Sequence, residues 1–309
     1  MQIFIDGKDI SDSVTVSSCL HEDSVSGRSD ALSVSFNDDT DSRTDWRGWN
    51  LVKGTKIEVT TDGFSSGTMF VSRISVADGR FDVRAQSVRN QARDESTQSY
   101  EDISFIELLQ EGAKELNLTL KMYDVTDFTY NSVIRIKQNW LGFLNDRCVL
   151  EGDGIKIYDN NLVVFNEKSF ENRNPVKTIK AEDFSCQPEF ETSDDVIREV
   201  HNRYRSDQVI DTSVRSGISY GKRVEIEIPC TCIGESIRFS KNIMRLTNKN
   251  EYRSVGVVTG CELSAGVTVE LSGSFFGPFE GMNFVDRVVT DMVHASQRVY
   301  LRKPIEGDY

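Results

Sequence analysis

The sequence predicts a mainly β protein, with two antiparallel β modules flanking a small α+β insert. Three observations carry this. Apolar and polar residues alternate over short runs in both end regions, helical spacing of apolar residues is concentrated in the middle, and one two-strand pattern occurs twice. Near the front stand Leu51-Val52-Lys53-Gly54-Thr55-Lys56-Ile57-Glu58-Val59, a Gly/Ser turn, and Gly67-Thr68-Met69-Phe70-Val71-Ser72-Arg73-Ile74. Near the end stand Leu263-Ser264-Ala265-Gly266-Val267-Thr268-Val269-Glu270-Leu271, a Gly/Pro turn, and Gly281-Met282-Asn283-Phe284-Val285-Asp286-Arg287-Val288. In each copy a glycine precedes a short strand, and a second glycine opens a longer one reading Phe-Val-x-Arg-(Ile/Val). The pair is read as an internal duplication.

Along the chain, Ile3 and Ile5, Val14 and Val16, Leu32, Val34 and Phe36, then Ile57 and Val59 mark strands by their period of two. Ile74 to Val83 makes a hairpin, because Asp78-Gly79 accepts the positive φ angles of a tight turn. Regularly spaced short strands of this kind build a barrel or a sandwich. Residues 21–30 and 37–50 read as polar loops. Trp46 and Trp49 in the second either anchor a partner or fold back over the module's end.

The period changes near residue 100. Ser104-Phe105-Ile106-Glu107 is a capping-box sequence, opening a helix with Leu108, Leu109, Ala113 and Leu116 on one side. A strand from Leu118 to Met122 follows, then a short helix bearing Trp140, Phe143, Leu144 and Val149. A second tight hairpin runs from Gly154 to Phe165, and the insert ends near Asn174-Pro175. Strands then return. Val196, Val200 and Tyr204 are spaced by four, so helix and strand compete over 196–205. Val224, Ile226 and Ile228 alternate with Glu225 and Glu227, and Glu235 to Asn248 reads as helix. The expected domains are therefore 1–97, 98–175 and 176–309, the last with a helix near 235–249.

The 309 residues carry 49 Asp and Glu against 36 Lys and Arg, a net charge of -13. That balance argues against gripping nucleic acid, whose phosphates are held by clustered cations. No run of eighteen apolar residues exists to span a membrane. Met1-Gln2-Ile3-Phe4-Ile5-Asp6-Gly7 lacks the basic start and apolar stretch of a signal peptide, so the expectation is a cytosol-like compartment or exit by a route that needs no signal. Of six cysteines, only Cys230 and Cys232 are close, and the spacing matches no zinc motif; reduced, packed thiols are expected.

Motifs for catalysis do not hold up. Gly63-Phe64-Ser65-Ser66-Gly67 has the spacing of an esterase nucleophile, yet that serine needs a strand-to-helix turn, and this one joins two antiparallel strands. Asp39 to Asp45 approaches a calcium loop, but Arg43, Thr44 and Asn50 stand where a ligand, a glycine and a glutamate belong. His21, His201 and His294 are far apart, and Glu151-Gly152-Asp153-Gly154 surrounds its glycines with carboxylates that repel phosphate. No catalytic, cofactor-binding or metal-ligating residue is assigned.

The order of features resembles the baseplate hub proteins of contractile-tailed bacteriophages and related injection machines, the late-control D group. The match is strongest at the end. A helix closes on Arg245-Leu246-Thr247-Asn248-Lys249, and the strands Gly266 to Val269 and Gly281 to Val288 follow. His294 lies near a strand end before Tyr300-Leu301-Arg302. The middle fits through Phe105-Ile106-x-Leu108-Leu109, Trp140-x-x-Phe143-Leu144, and Gly154-x-x-x-Tyr158-Asp159-x-x-Leu162-Val163-Val164-Phe165.

The resemblance implies two tail-tube-like barrels per chain and a homotrimer in the virion tail baseplate, assembled in the bacterial host cytoplasm. Its expected partners are the tail tube or tube-initiator ring, other baseplate proteins and a spike, while DNA passes without specific binding. Hub proteins with a fused spike or lysozyme extend beyond the position of Tyr309, so a separate spike protein is expected. The function expected is a non-enzymatic adaptor between a six-fold tube and a three-fold spike. The alternatives are a baseplate-associated peptidoglycan hydrolase and a carbohydrate-binding β module.

Overall fold

Residues 1–25, 29–37, 51–77, 79–205 and 208–305 are described by the computed structural model. The alternating runs of the first module become strands β1 (Gln2–Ile5), β2 (Lys8–Asp9), β3 (Val16–Ser24), β4 (Ala31–Asn37), β5 (Lys56–Thr61), β6 (Phe64–Ser65), β7 (Met69–Ala77) and β8 (Arg80–Gln86). Successive strand residues face opposite ways. Ile3, Leu32, Val34, Phe36, Ile57, Val59, Phe81 and Val83 therefore share one side and form one core. The β7–β8 hairpin closes on the pair Ala77 and Arg80, with Gly79 at φ +70°. Asp78, Trp46, Trp49 and the carboxylate-rich stretch 39–45 lie outside the described residues. The loop expected from residue 21 starts later, because β3 runs on to Ser24 and buries His21, Asp23 and Ser24.

The insert follows as β9 (Glu95–Ser104), α1 (Phe105–Glu115), β10 (Thr119–Tyr123), β11 (Thr129–Asn139), α2 (Trp140–Glu151), β12 (Asp153–Tyr158), β13 (Asn161–Asn166) and α3 (Glu167–Glu171). The capping box forms as read. The Glu107 amide donates to Ser104 Oγ at 3.1 Å, and the Ser104 amide donates back to Glu107 at 2.9 Å. Leu108, Leu109 and Ala113 of α1 share a core with Trp140, Phe143 and Leu144 of α2. The β12–β13 turn has both central residues, Asp159 and Asn160, at positive φ, which matches the right-handed twist of its arms. Pairing of β9 with β11 was not expected from the sequence. Ile134 and Ile136 point outward, 54% and 65% exposed, so the apolar residues do not mark a buried face there.

The last part comprises β14 (Lys177–Ile179), β15 (Glu189–Thr192), β16 (Ile197–Arg205), β17 (Val209–Arg215), β18 (Lys222–Ile226), α4 (Ile233–Asn248), β19 (Tyr252–Thr259), β20 (Thr268–Leu271), β21 (Gly281–Asp291) and β22 (Ser296–Arg302). The rivalry over 196–205 resolves to strand. A spacing of four keeps residues on one face in either periodicity, and hydrogen bonding from β17 and β18 decides it. Between β15 and β19 the chain leaves the main sheet. There β16 to β18 form a separate sheet under α4, whose Met244 packs with Ile197, Val200 and Val214 while Phe239 enters the insert core.

The two modules share one fourteen-stranded sheet in the order β15-β19-β22-β21-β3-β4-β8-β7-β5-β1-β2, with β6, β14 and β20 branching from that path. The protein is mainly β, with the α+β insert held against both modules.

Candidate assembly interface

The duplication read from the sequence is a duplication of hydrogen-bond register. In the first copy β5 pairs antiparallel with β7 through Ile57 with Met69 and Lys56 with Phe70. In the second β20 pairs with β21 through Val269 with Asn283 and Thr268 with Phe284, which are the counterparts of those four residues. The Val71 amide donates to Thr55 O at 2.9 Å, and the Val285 amide donates to Val267 O at 2.9 Å. Gly54 and Gly266 return the bond to Val71 O and Val285 O at 2.7 and 2.8 Å, at φ +91° and +92°. Even the irregularity recurs, since β7–β8 slips between Val71 and Arg73, and β21–β22 slips between Val285 and Arg287. β3, β4, β5, β7 and β8 thus correspond to β15, β19, β20, β21 and β22.

The modules meet where β21 pairs with β3, from Arg287 with Ser24 to Asp291 with Leu20. Arg287 reaches across the joint to Glu22 at 2.8 Å. Behind it, Asp23 ties three segments together. Its carboxylate accepts the Ala265 amide at 2.9 Å and meets Lys156 of β12 at 2.6 Å, and Lys156 also donates to Ala265 O at 3.3 Å. His21 is 1% exposed, and burial lowers its imidazole to about 4, with Lys156 adding to that and Asp23 opposing it. Burial, reinforced by Asp23, raises the Asp30 carboxyl well above the ordinary range.

A second buried cluster locks the insert and α4 onto the second module. The Arg302 side chain, with no exposure, meets Glu167 at 3.1 Å, Glu171 at 2.5 Å and Asp286 at 2.9 Å, and its guanidinium lies 4.6 Å from the Phe284 ring centre. Arg245 pairs with Glu171 and, at 3.6 Å, with Glu167, while Lys249 reaches Glu167 at 2.7 Å. Three carboxylates thus face three cations. Burial alone would raise Glu167, but Lys249, Arg302 and Arg245 outweigh it and bring it down to about 2. Burial raises Asp286 in spite of Arg302 and Lys249. Arg302 occupies the position that Gln86 holds in the first copy, as their pairing with Phe284 and Phe70 shows.

The residues singled out for chemistry are not brought together. Ser65 sits beside a hairpin turn, donating to Glu58 at 3.0 Å and accepting the Gly67 amide. His201 bonds Asp211 at 2.7 Å on the separate sheet, and His294 bonds Asp291 at 2.8 Å in the β21–β22 turn. Cys232 caps α4 by accepting the Glu235 amide at 3.4 Å, and Cys230 is buried 3.8 Å from the Asn202 amide nitrogen. All six cysteines are free thiols. Among the described residues no group of three or more His, Cys, Asp or Glu is placed to hold a metal ion.

What the fold leaves open is sheet edge. Among the described residues β15 pairs only with β19, and β7 beyond Val71 pairs only with β8. Unpaired edges invite another strand. Sequence reasoning found the repeat but missed the residues at the joint, because His21, Glu22 and Asp23 look like loop until the partner strand is known. The doubled Arg73 and Arg287 was the available signal.

Two like β modules share one sheet and carry an α+β insert, and solved phage tail proteins have a similar fold. The chain superposes on the 43 kDa tail protein of prophage MuSo2 from Shewanella oneidensis with a TM-score of 0.77 at 10% identity, covering 98% of each chain. The tail protein from Neisseria meningitidis MC58 gives 0.76 at 12%, over 98% of this chain and 95% of that one. The E. coli c3393 protein, a component of the type VI secretion system similar in structure to T4 bacteriophage tail proteins gp27 and gp5, gives 0.64 at 10%, over 100% and 79%. No family model matches, and no curated protein matches in sequence. The chain has the fold of these phage tail proteins and of the type VI secretion component.

Proposed function

We propose that this protein is the structural hub of a contractile-tail baseplate, a non-enzymatic homotrimer joining a six-fold tail tube to a three-fold central spike and lining the channel between them. The observation that carries the reading is the repeated register of β5–β7–β8 in β20–β21–β22. Three chains with two like modules each present six similar faces on one side and three true repeats on the other, which satisfies both symmetries at once. Residues 1–97 and 176–309 supply the tube-like modules, and 98–175 faces neighbouring baseplate proteins. The net charge of -13 per chain suits a lumen through which DNA slides without being held. Mass measurement and electron micrographs of the purified protein, alone and with a spike protein, should show three copies and a ring of six lobes. A monomer in both conditions would count decisively against the assembly.

A further inference from the structure

The joint inside one chain specifies the joint between chains. Within the chain, β21 of the second module pairs antiparallel with β3 of the first. By the repeat, β7 is the counterpart of β21 and β15 the counterpart of β3, and among the described residues both present an unpaired edge. We infer that β7 of one copy pairs with β15 of the next in the register of β21 on β3. This deepens the trimeric reading and rests on it. Transposing the observed pairs sets Arg73 against Ser193, Ile74 against Thr192, Ser75 against Glu191, Val76 against Phe190 and Ala77 against Glu189 of the next copy.

Side chains support the register independently of the backbone. At the internal joint Arg287 pairs with Glu22. Their counterparts are Arg73 and Glu191, again opposite in charge, and neither has an ion-pair partner among the described residues. Glu191 faces the right way, since it lines with Arg253, Arg287 and Tyr300 one cavity of about 880 Å³ on the insert side of the sheet. On the opposite face, Thr290 is 0% exposed inside the internal joint, whereas its counterpart Val76 is an apolar side chain left 62% exposed. Its partner would be Phe190, the counterpart of the buried His21. An apolar pair and a free ion pair thus stand where the internal joint has a buried pair and a formed one.

The two open edges differ, so their union is head-to-tail and either closes into a ring or continues as a filament. Opposed side chains on antiparallel strands lie roughly 5 Å apart, within reach of a disulfide. The test places Ser75→Cys and Glu191→Cys together in a chain carrying Cys186→Ser and Cys232→Ser, which removes the exposed thiols. Oxidation should yield covalent trimers on a non-reducing gel, while either cysteine alone yields monomer. In parallel, Arg73→Glu or Glu191→Arg should each weaken assembly roughly tenfold or more, and the two together should restore most of it. Both sites are exposed, so a circular dichroism spectrum matching the parent separates lost assembly from lost fold. Trimers that form normally but neither cross-link nor respond to the charge swap overturn this register and leave the trimeric reading standing. Cross-linked open polymers uphold the register and overturn the closed trimer. A monomer throughout removes both.

Discussion

Arg302→Gln is the most direct probe of how the insert is held, because it places in the second module the residue that the first carries as Gln86. The wild-type cluster balances Glu167, Glu171 and Asp286 against Arg245, Lys249 and Arg302. Removing one partner from a buried ionic group leaves a charge with neither water nor counter-ion, at a cost of about 3–5 kcal/mol. With a urea m-value of about 3 kcal/mol per molar, the unfolding midpoint should fall by roughly 1 M or more at pH 7. The sign of the pH dependence separates charge from packing. In the wild type, Glu167 lies at about 2, below its ordinary value, so its stabilisation is complete above the ordinary carboxylate range and is lost progressively as pH falls from that range through about 2. In the variant one carboxylate is in excess, and Asp286, already raised by burial, takes the proton first. A raised carboxyl restores stability as pH falls, so the deficit should shrink between pH 7 and pH 5. Adding Asp286→Asn should recover part of the loss at pH 7. A midpoint shift below about 0.3 M, or an equal deficit at both pH values, would refute the account of a balanced buried cluster.

Two further substitutions test the repeat and the docking of the insert. His21→Phe installs the residue of the other copy, Phe190. The wild-type imidazole, lowered to about 4 by burial amid Asp23, Lys156 and Asp30, should cost the folded state about 2 kcal/mol between pH 7 and pH 5, and that loss should disappear in the variant; identical pH profiles would clear His21 of the role. Gly67→Ala meets a left-handed φ of +63° and places a Cβ 3.0 Å from that of Asp159, whereas Gly7→Ala meets φ +79° with nothing within 4 Å. The first should therefore destabilise by about 1 kcal/mol or more beyond the second, read from urea midpoints.

Legibility in the sequence followed how local each signal was. The cap at Ser104, the hairpin at Asp159-Asn160 and the repeated glycines are decided within a few residues, and all were readable. The strands β9 and β11 were not, because they face solvent on one side and their apolar side chains Ile134 and Ile136 lie on that side. Nor could β3 be carried beyond residue 20. Its last residues are polar, and they are buried only because β21, some 260 positions later, pairs with them and Lys156 answers Asp23. The clusters around Asp23 and Arg302 each gather residues from three distant segments, and no single window of sequence contains such a set. The repeat escaped that limit, since comparing the chain with itself exposed a long-range relation that local periodicity does not carry.

The differences between the copies fall where their surroundings differ. Val83 of β8 and its counterpart Val299 of β22 are the same residue in each module's interior, while Arg302 replaces Gln86 where α3 and α4 rest on the second module alone. His21 and Phe190 divide in the same manner. A joint within one chain forms at an effective concentration set by its own linker, so it tolerates buried polar groups such as His21 and the Asp23–Lys156 pair. A joint between separate chains has no such advantage and must gain from apolar burial and charge steering, which is what Val76, Phe190, Arg73 and Glu191 offer. The insertion between β15 and β19 adds to this asymmetry. Where the first module has the short passage from β3 to β4, the second sends out β16 to β18 and α4, which join the insert core through Phe239 and Ile210. In a ring of alternating modules, every second position would then carry a rigid projection built from one chain. In the proposed trimer six similar faces would meet the tube and three identical projections would lie outside it, and the change from six-fold to three-fold order would then follow from where the two modules diverge.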